Sequence, residues 1–304
     1  MDPLSDALSL LKPRSYITGG FDAGGDWGLT LDDLRGRIKC YAVLKGMCWL
    51  SLGEGEAPLA VREGECFVLP TGRTVTITGN IAAHPQRASD VLDPNRNGEV
   101  VTHNGGGNVF LVGSRFEVNG PHAELLTRTL PPLIRVESSG AQSMLTWCIE
   151  LMMAELRDGG PGSALIAQHL SHMMLVQALR LYLAQQPEGA VGWFAALADP
   201  RLVRAIAAMH EDPAFAWTLA ALARQAGMSR STFAERFRAK LGETPLGYLT
   251  RWRMMLAAER LTAGGSSIAS VATAVGYAAE PAFSTAFKRI MGCSPRQYSR
   301  RSAG

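Results

Sequence analysis

The last hundred residues of this chain contain an internal repeat, which limits their possible folds more than any other feature of the sequence. Aligned with itself at an offset of fifty, the chain places like residues on like: Phe233 on Phe283, Phe237 on Phe287, Arg238 on Lys288, Gly242 on Gly292, Pro245 on Pro295 and Tyr248 on Tyr298. Slightly upstream the offset becomes forty-nine, with Leu219 on Ile268, Leu222 on Val271, Ala223 on Ala272 and Gly227 on Gly276. Two copies of one supersecondary unit explain such a repeat.

Each copy has the pattern of a helix, a tight turn and a second helix. In the first copy Thr218 can cap one helix and Ser229 the next, because serine and threonine are favoured N-caps. In the second copy Ser267 caps the first helix, and Pro281 lies near the start of the second, where proline costs little. The segment 246–261 has the length and apolar spacing of a connecting helix. The sequence therefore predicts two helix-turn-helix units joined by a rigid linker.

The second helix of each unit carries the functional expectation. In helix-turn-helix proteins this helix enters the major groove of DNA, with its N-terminal residues at the base edges. The positions outside the apolar stripe are Arg230, Ser231, Ala234, Glu235 and Arg238 in the first unit, and Glu280, Ala282, Ser284, Thr285 and Lys288 in the second. Basic residues can neutralise phosphates, hydroxyls can bond bases or phosphates, and glutamate can accept from cytosine N4. Two such helices on one rigid body are expected to read successive major grooves.

Charge is distributed unevenly along the chain. Residues 201–304 hold fifteen Lys and Arg against six Asp and Glu, whereas residues 1–200 hold fifteen against twenty-one. The C-terminal third therefore carries a net charge of +9 and the remainder −6, which sum to the +3 of the whole chain. This asymmetry indicates that only the C-terminal part meets a polyanion. The repeat identifies that polyanion as double-stranded DNA.

The region from about Asp199 to Arg301 resembles the DNA-binding domain of the AraC/XylS family of bacterial transcription regulators. It has the family's Gly-x-x-Pro-x-x-Tyr and Gly-x-Ser-Pro-x-x-Tyr segments, its Gly-Tyr turn and an arginine-bearing linker helix. The resemblance implies base-reading positions at Ser231, Ala234, Glu235, Glu280, Pro281, Ala282, Ser284 and Thr285. Many members have serine where this chain has Pro281, and proline cannot donate a hydrogen bond to a phosphate. The second unit is therefore expected to read bases less exactingly than the first.

Residues 16–120 have a different character. Short β-branched or aromatic segments, punctuated by glycine, predict a small antiparallel barrel or sandwich; they are Ile38–Leu44, Cys48–Leu52, Cys66–Leu69, Val75–Thr78 and Val109–Phe116. Gly64, Pro70 and Gly72 have the spacing of a cupin motif, and the region resembles the cupin-like sensor domain that precedes many AraC-type regulators. The fold class expected for the chain is α+β, with a cupin-like barrel and dimerisation helices followed by an all-α domain.

The sensor region offers candidate ligand-binding residues but lacks the metal ligands of catalytic cupins. Where those enzymes have a His-x-His pair, this chain has Lys39-Cys40-Tyr41-Ala42. We therefore expect no cofactor, no metal and no enzymatic activity, with a cupin enzyme tethered to DNA as the less favoured alternative. A small-molecule effector is expected in the barrel, where four aromatic residues are candidates to line its pocket: Trp27, Tyr41, Trp49 and Phe67. The same residues could equally be ordinary core.

Three cysteines of the barrel suggest a different signal. Cys40 and Cys48 flank a predicted turn, and Cys66 lies on a neighbouring segment. A pair of them could oxidise and shift the sensor between two states. Buried, inert thiols are the simpler interpretation, since the number of cysteines is odd and no CxxC pair is present. The signal is thus left open between an unknown small molecule and a redox change.

Two helices, about Met144–Leu156 and Ser163–Gln185, are predicted between the sensor and the DNA-binding region. The resemblance assigns such helices to homodimerisation, and it implies RNA polymerase as a partner and activation as the mode of regulation. The expected division is a cupin-like domain at 1–136, a helical dimerisation region at 137–192 and a double helix-turn-helix domain at 193–304. The N-terminus lacks the pattern of a signal peptide and no apolar run is long enough to cross a bilayer, so a cytoplasmic location without membrane contact is expected.

Overall fold

The computed structural model describes residues 2–11, 13–32, 36–53, 56–70, 72–92, 99–118, 127, 130–136, 144–187 and 189–302. The chain divides into two compact units. The first consists of Pro13–Val118 and Pro131–Gln185, and the second of Gln186–Gly304 with Met1–Lys12 and Asn119–Leu130. Every strand of the described chain lies in the first unit, and the regular structure described in the second is helical.

Eleven strands in the described part of the first unit form two sheets. The strands are β1 (Arg14–Ala23), β2 (Gly28–Leu31), β3 (Arg37–Lys45), β4 (Met47–Ser51), β5 (Leu59–Arg62), β6 (Cys66–Leu69), β7 (Val75–Thr78), β8 (Gln86–Arg87), β9 (Val100–His103), β10 (Val109–Glu117) and β11 (Ile134–Val136). One sheet has the order β11-β6-β3-β10-β1-β9, and the other has the order β5-β4-β7-β2-β8. A short helix, α2 (Ala88–Val91), follows β8.

The predicted α+β class and the five predicted strand segments are confirmed. Pairing is antiparallel except at two sheet edges, where β9 runs parallel to β1 and β8 parallel to β2. The strands of each parallel pair are far apart in sequence, so they are not held to the opposite directions of a hairpin. The expectation of an antiparallel arrangement is wrong at these two edges.

Apolar side chains fill the space between the sheets. The alternation of β4 sends Cys48 and Leu50 into this core, together with Phe67 and Leu69 of β6. All four residues of β6 are buried, although only alternate residues of a strand face one side. This strand is covered on both faces, because a long helix packs against the outer face of its sheet.

Two helices complete the first unit: α3 (Met144–Asp158) and α4 (Ser163–Ala184). They pack on each other, and α4 also lies against β1, β6 and β11. At that contact the Ser114 hydroxyl donates to the Ser171 hydroxyl (3.0 Å), which in turn donates to the Ala167 carbonyl (2.8 Å). Both buried hydroxyl groups are thus satisfied where helix and sheet meet.

The second unit is built from helices. They are α1 (Pro3–Leu11), α5 (Trp193–Ala198), α6 (Leu202–Glu211), α7 (Leu219–Gln225), α8 (Arg230–Leu241), α9 (Pro245–Ala263), α10 (Ile268–Ala274), α11 (Glu280–Met291) and α12 (Pro295–Ser302). Helices α7 and α8 form the first helix-turn-helix unit, α10 and α11 the second, and α9 contacts all four. N-cap hydrogen bonds start α7 at Thr218, α8 at Ser229 and α10 at Ser267, as predicted.

Candidate DNA-binding interface

Helix α8 presents the candidate DNA-contact residues of the first helix-turn-helix unit. Its N-cap Ser229 has an extended backbone, and its hydroxyl oxygen accepts a hydrogen bond from the backbone N–H of Thr232 (3.3 Å). Phe233 and Phe237 are fully buried, which fixes the rotation of the helix about its axis. That rotation leaves Arg230, Ser231, Glu235 and Arg238 exposed and Ala234 half-buried. The candidate residues of this unit therefore share one accessible helix.

Helix α11 presents the candidate DNA-contact residues of the second helix-turn-helix unit, but it begins differently from α8. Its N-cap is Ala279, which has no side chain to accept a hydrogen bond, and Pro281 lies in the first turn. The Thr285 hydroxyl donates to the Pro281 carbonyl within the helix (3.0 Å). Phe283 and Phe287 are fully buried and again set the rotation. Glu280, Pro281, Ala282, Thr285 and Lys288 are exposed, and Ser284 is half-buried.

An ion pair that sequence reasoning missed holds α8 in place. Arg236 Nε donates to Asp199 Oδ2 at 2.6 Å, while Asp199 Oδ1 accepts from the backbone N–H groups of Arg201 (2.9 Å) and Leu202 (3.2 Å) at the start of α6. Burial acts to raise the pKa of Asp199, but these hydrogen bonds outweigh it and hold the pKa below its ordinary value. The one available signal was Asp199-Pro200 ahead of a helix, which is typical of an N-cap.

A buried polar network connects the N-terminal helix α1 to helices α6 and α9. The His210 ring lies between the Asp6 carboxylate (Nδ1 to Oδ2, 3.3 Å) and the Tyr248 hydroxyl (Nε2 to Oη, 2.8 Å), and it stacks on Trp252 at 3.7 Å. Trp193 Nε1 also donates to that hydroxyl (3.2 Å). Burial lowers the pKa of His210 and raises that of Tyr248 to about 12. Both groups are therefore neutral at pH 7, with Nδ1–H donating to Asp6 and Tyr248 donating to Nε2.

The structure gathers three of the four candidate effector residues. Trp27 and Phe67 are buried in the core between the sheets, and Tyr41 packs against that core, stacked on Phe67 with ring centroids 5.1 Å apart. Trp49 is half-buried and separate from them, because the alternation of β4 sends its neighbours Cys48 and Leu50 into the core. Three aromatic side chains thus share one region, and Trp49 points to the other face of its sheet.

The cysteine candidates also divide by face. Cys40 on β3 and Cys66 on β6 are fully buried, with their Sγ atoms 3.6 Å apart. The hydrogen bond between them, together with burial, raises the pKa of Cys40 well above its ordinary value. Cys48 lies instead in the core between the sheets, where burial first and the charge of Glu65 second raise its pKa to about 12. In the register of the two strands Cys40 lies opposite Val68 and Cys66 opposite Ala42, so the two cysteines are diagonal neighbours, and a disulfide between them would require a shift of the strands.

Two features are absent from the part of the chain that the structure describes. No group of three or more His, Cys, Asp or Glu side chains lies together there in a way that could hold a metal ion. Among the helices described, none is both long and apolar enough to span a bilayer.

Comparison with known proteins agrees with this geometry. A family described as a cupin matches residues 2–184, and one described as a helix-turn-helix domain matches residues 222–301. The chain is 40% identical to a putative AraC-like transcription regulator of Streptomyces lividans and 38% identical to one of Streptomyces antibioticus, each over 98% of both chains. It is 30% identical to the RCS-specific HTH-type transcriptional activator RclR of Escherichia coli K12, over 99% of this chain and 98% of that protein.

The two exposed recognition helices, preceded by a cupin domain, define a DNA-binding transcription regulator. Within that class, the full-length similarity decides the family. This chain belongs to the AraC-like transcription regulators, and the resemblance derived from its repeat is confirmed.

Proposed function

We propose that this regulator binds promoter DNA with α8 and α11 in successive major grooves, under the control of a signal received by its cupin domain. One observation carries the proposal. Two helices of the same compact unit, each oriented by a pair of fully buried phenylalanines, leave polar and basic side chains exposed at matching positions. Successive major grooves on one face of a duplex lie about 34 Å apart, a distance suited to two such helices on one body.

The exposed residues divide into two roles. Arg238 and Lys288 lie toward the C-terminal ends of their helices, and we assign them to phosphates, which position a protein without reading sequence. The residues nearer the helix N-termini are assigned to base edges: Arg230, Ser231, Ala234 and Glu235 on α8, and Glu280, Pro281, Ala282, Ser284 and Thr285 on α11. Because α11 begins with an uncapped turn that contains Pro281, its readout is expected to be the less exacting of the two.

For the signal, a small molecule bound in the cupin domain is the first candidate. Trp27, Tyr41 and Phe67 supply the aromatic surface that apolar pockets commonly use. Trp49 lies on the other face of its sheet and would belong to a different surface. Control then requires only that the ligand bind one arrangement of the domains more tightly than another.

A redox signal is the second candidate, favoured by the 3.6 Å separation of Cys40 and Cys66. A peroxide could oxidise both thiols to a disulfide, the two thiol hydrogens leaving in two molecules of water per hydrogen peroxide. The raised pKa of Cys40 opposes this reaction, since the thiolate is the nucleophile. Peroxide treatment of the folded protein followed by mass analysis would decide: loss of two hydrogens in a Cys40–Cys66 peptide supports it, and intact thiols remove it.

The remaining proposals concern assembly. We propose a cytoplasmic homodimer without catalytic activity that activates transcription together with RNA polymerase, divided into a sensor (1–136), a dimerisation region (137–192) and a DNA-binding domain (193–304). The dimer proposal is supported by large apolar side chains exposed on α3 and α4, namely Met144, Trp147, Leu165, Ile166 and Met173. Apolar side chains that are exposed close together on a surface commonly mark interfaces between proteins.

Selection of bound duplexes from a random DNA pool tests the central proposal. The full-length protein, kept reduced at physiological salt, should enrich one motif made of two short blocks about one helical turn apart. Recovery of random sequence would contradict the assignment of α8 and α11 as sequence readers. Repeating the selection with E235A should lose preference at one base pair of a single block, which separates base readout from general affinity.

A further inference from the structure

One side chain of the linker helix reaches the first helix-turn-helix unit. Arg253 on α9 donates from Nε to the carbonyl of Pro213 (2.6 Å) and from Nη2 to the carbonyl of Phe215 (2.8 Å). These carbonyls belong to the loop between α6 and α7, which leads into the first unit. The guanidinium is a rigid planar fork, so two bonds from it fix the position of the loop as well as its distance.

The same guanidinium also faces the second unit. Its Cζ lies 5.9 Å from the centre of the Tyr277 ring, within the range of a cation–π contact. Tyr277 follows directly after the turn that ends α10. Arg253 therefore touches a loop of the first unit and the turn of the second at once.

The loop and the turn meet directly as well. Gly276 has φ +82°, which favours glycine, and a Cβ placed there would lie 2.6 Å from the carbonyl oxygen of Ala214. No side chain fits in that gap, so the backbone of the second unit rests on the loop that Arg253 holds. The two helix-turn-helix units are thus joined through the shared helix α9 and also through this junction, which is formed by Arg253, the loop 213–215 and residues 276–277.

We infer that Arg253 is a positioning residue that fixes the orientation of α11 relative to α8 and thereby sets the spacing between the two DNA blocks that the protein accepts. The inference rests on the proposed function, in which both helices read DNA. Successive base pairs are rotated by about 34° and displaced by about 3.4 Å, since one turn holds 10–10.5 base pairs over 34–36 Å. A rigid pair of helices therefore fits one spacing, whereas a loosened pair accepts several.

The test uses the duplex that wild-type protein selects from the random pool, together with versions that have one base pair inserted or deleted between the blocks. For the wild type, either change should lower affinity about tenfold or more, because one block is then misaligned and even a single mismatched base pair costs that much. In R253A we expect affinity for the original duplex to fall and the penalty for a changed spacing to shrink to about threefold or less. R253K should recover part of the preference, since a lysine can reach one carbonyl but cannot span both in a fixed fork.

Arg251 provides the matched control. It lies two residues away on the same helix and pairs with Glu243, in the turn between α8 and α9, so its contact stays within the first unit. R251A removes the same charge from α9 but should keep the sharp spacing preference. If R253A kept the wild-type penalty, or if R251A lost it equally, the positioning role of Arg253 would be wrong.

A measurement without DNA keeps the inference independent of the binding site. All five native cysteines are buried, so cysteines introduced at the exposed positions Ala239 on α8 and Ala274 on α10 can be spin-labelled selectively. The distance distribution between the labels should be narrow in the wild type and in R251A, and broad in R253A. Equal widths in all three would overturn the inference. A failed selection with the expected change in widths would instead reject the proposed DNA readout and leave the junction established.

Discussion

The two helix-turn-helix units have the same core pattern but differ at the start of the helix that we propose to face DNA. In the first, α8 starts at a serine cap and is tied to α6 through Arg236 and Asp199. In the second, α11 starts at Ala279 with no side-chain cap and has Pro281 in its first turn. The repeat therefore preserves what orients a recognition helix, namely its paired phenylalanines, and changes what anchors its N-terminal end. We therefore expect α8 to discriminate strictly between base pairs and α11 to discriminate less strictly.

The largest effect should come from the shared core and should not distinguish the units. Phe237 and Phe287 are both fully buried, each between the other phenylalanine of its own helix and a tyrosine of the helix that follows. F237A and F287A should each lower the free energy of unfolding by about 3–5 kcal/mol, measured by urea denaturation. A much smaller loss in F287A would mean that the second core is loosely packed, and the comparison would then extend beyond the helix starts.

These core positions are also where the sequence was most informative. The period-four phenylalanines and the caps at Thr218, Ser229 and Ser267 are local signals, and the structure has each where the sequence predicts it. A cap acts on residues two or three positions away, so its geometry is contained in a short window of sequence. Helix identity and approximate bounds could be predicted for the same reason.

Contacts across long sequence separations could not be predicted. The Asp6–His210 contact spans 204 positions, and nothing near either residue indicates its partner. Arg253 bonds two backbone carbonyls, which every residue type has, so no partner residue marks the site. The face on which Trp49 lies depends on strand register, where a shift of one residue exchanges the two faces.

The next largest effect should be a difference between the two helix-turn-helix units in how strongly they discriminate between base pairs. E235A is expected to relax preference at one base pair, with about 1–3 kcal/mol of discrimination at stake. E280A should change specificity less, because Glu280 is the first residue of an uncapped helix and precedes a proline. Binding assays against all four base pairs at each position of the selected site would measure both. A larger effect from E280A would mean that α11, and not α8, discriminates more strictly between base pairs.

The N-cap can be removed from α8 and added to α11 by single substitutions. S229A should lower the free energy of unfolding by about 1 kcal/mol, because the N–H of Thr232 loses its acceptor. Ala279 has the extended backbone of a cap (φ −139°, ψ 134°), so A279S should gain about 0.5 kcal/mol. Urea denaturation of the two variants and the wild type measures both changes. If A279S also sharpened base preference in the second block, the missing cap would be the cause of its permissive readout; unchanged preference would point to Pro281.

The smallest difference between the two helix-turn-helix units is expected at the residues assigned to phosphates, which should behave alike. Arg238 and Lys288 are exposed at matching positions of the repeat, and each is assigned one phosphate. R238A and K288A should each weaken binding to every sequence and reduce the slope of log affinity against log salt by about 0.9. Between 50 and 200 mM salt that difference amounts to about three- to fourfold in affinity. Titrations of a selected and an unrelated duplex at several salt concentrations would measure it. A change of base preference in either variant would place that residue at a base edge, and the two units would then differ along the whole helix instead of at its start.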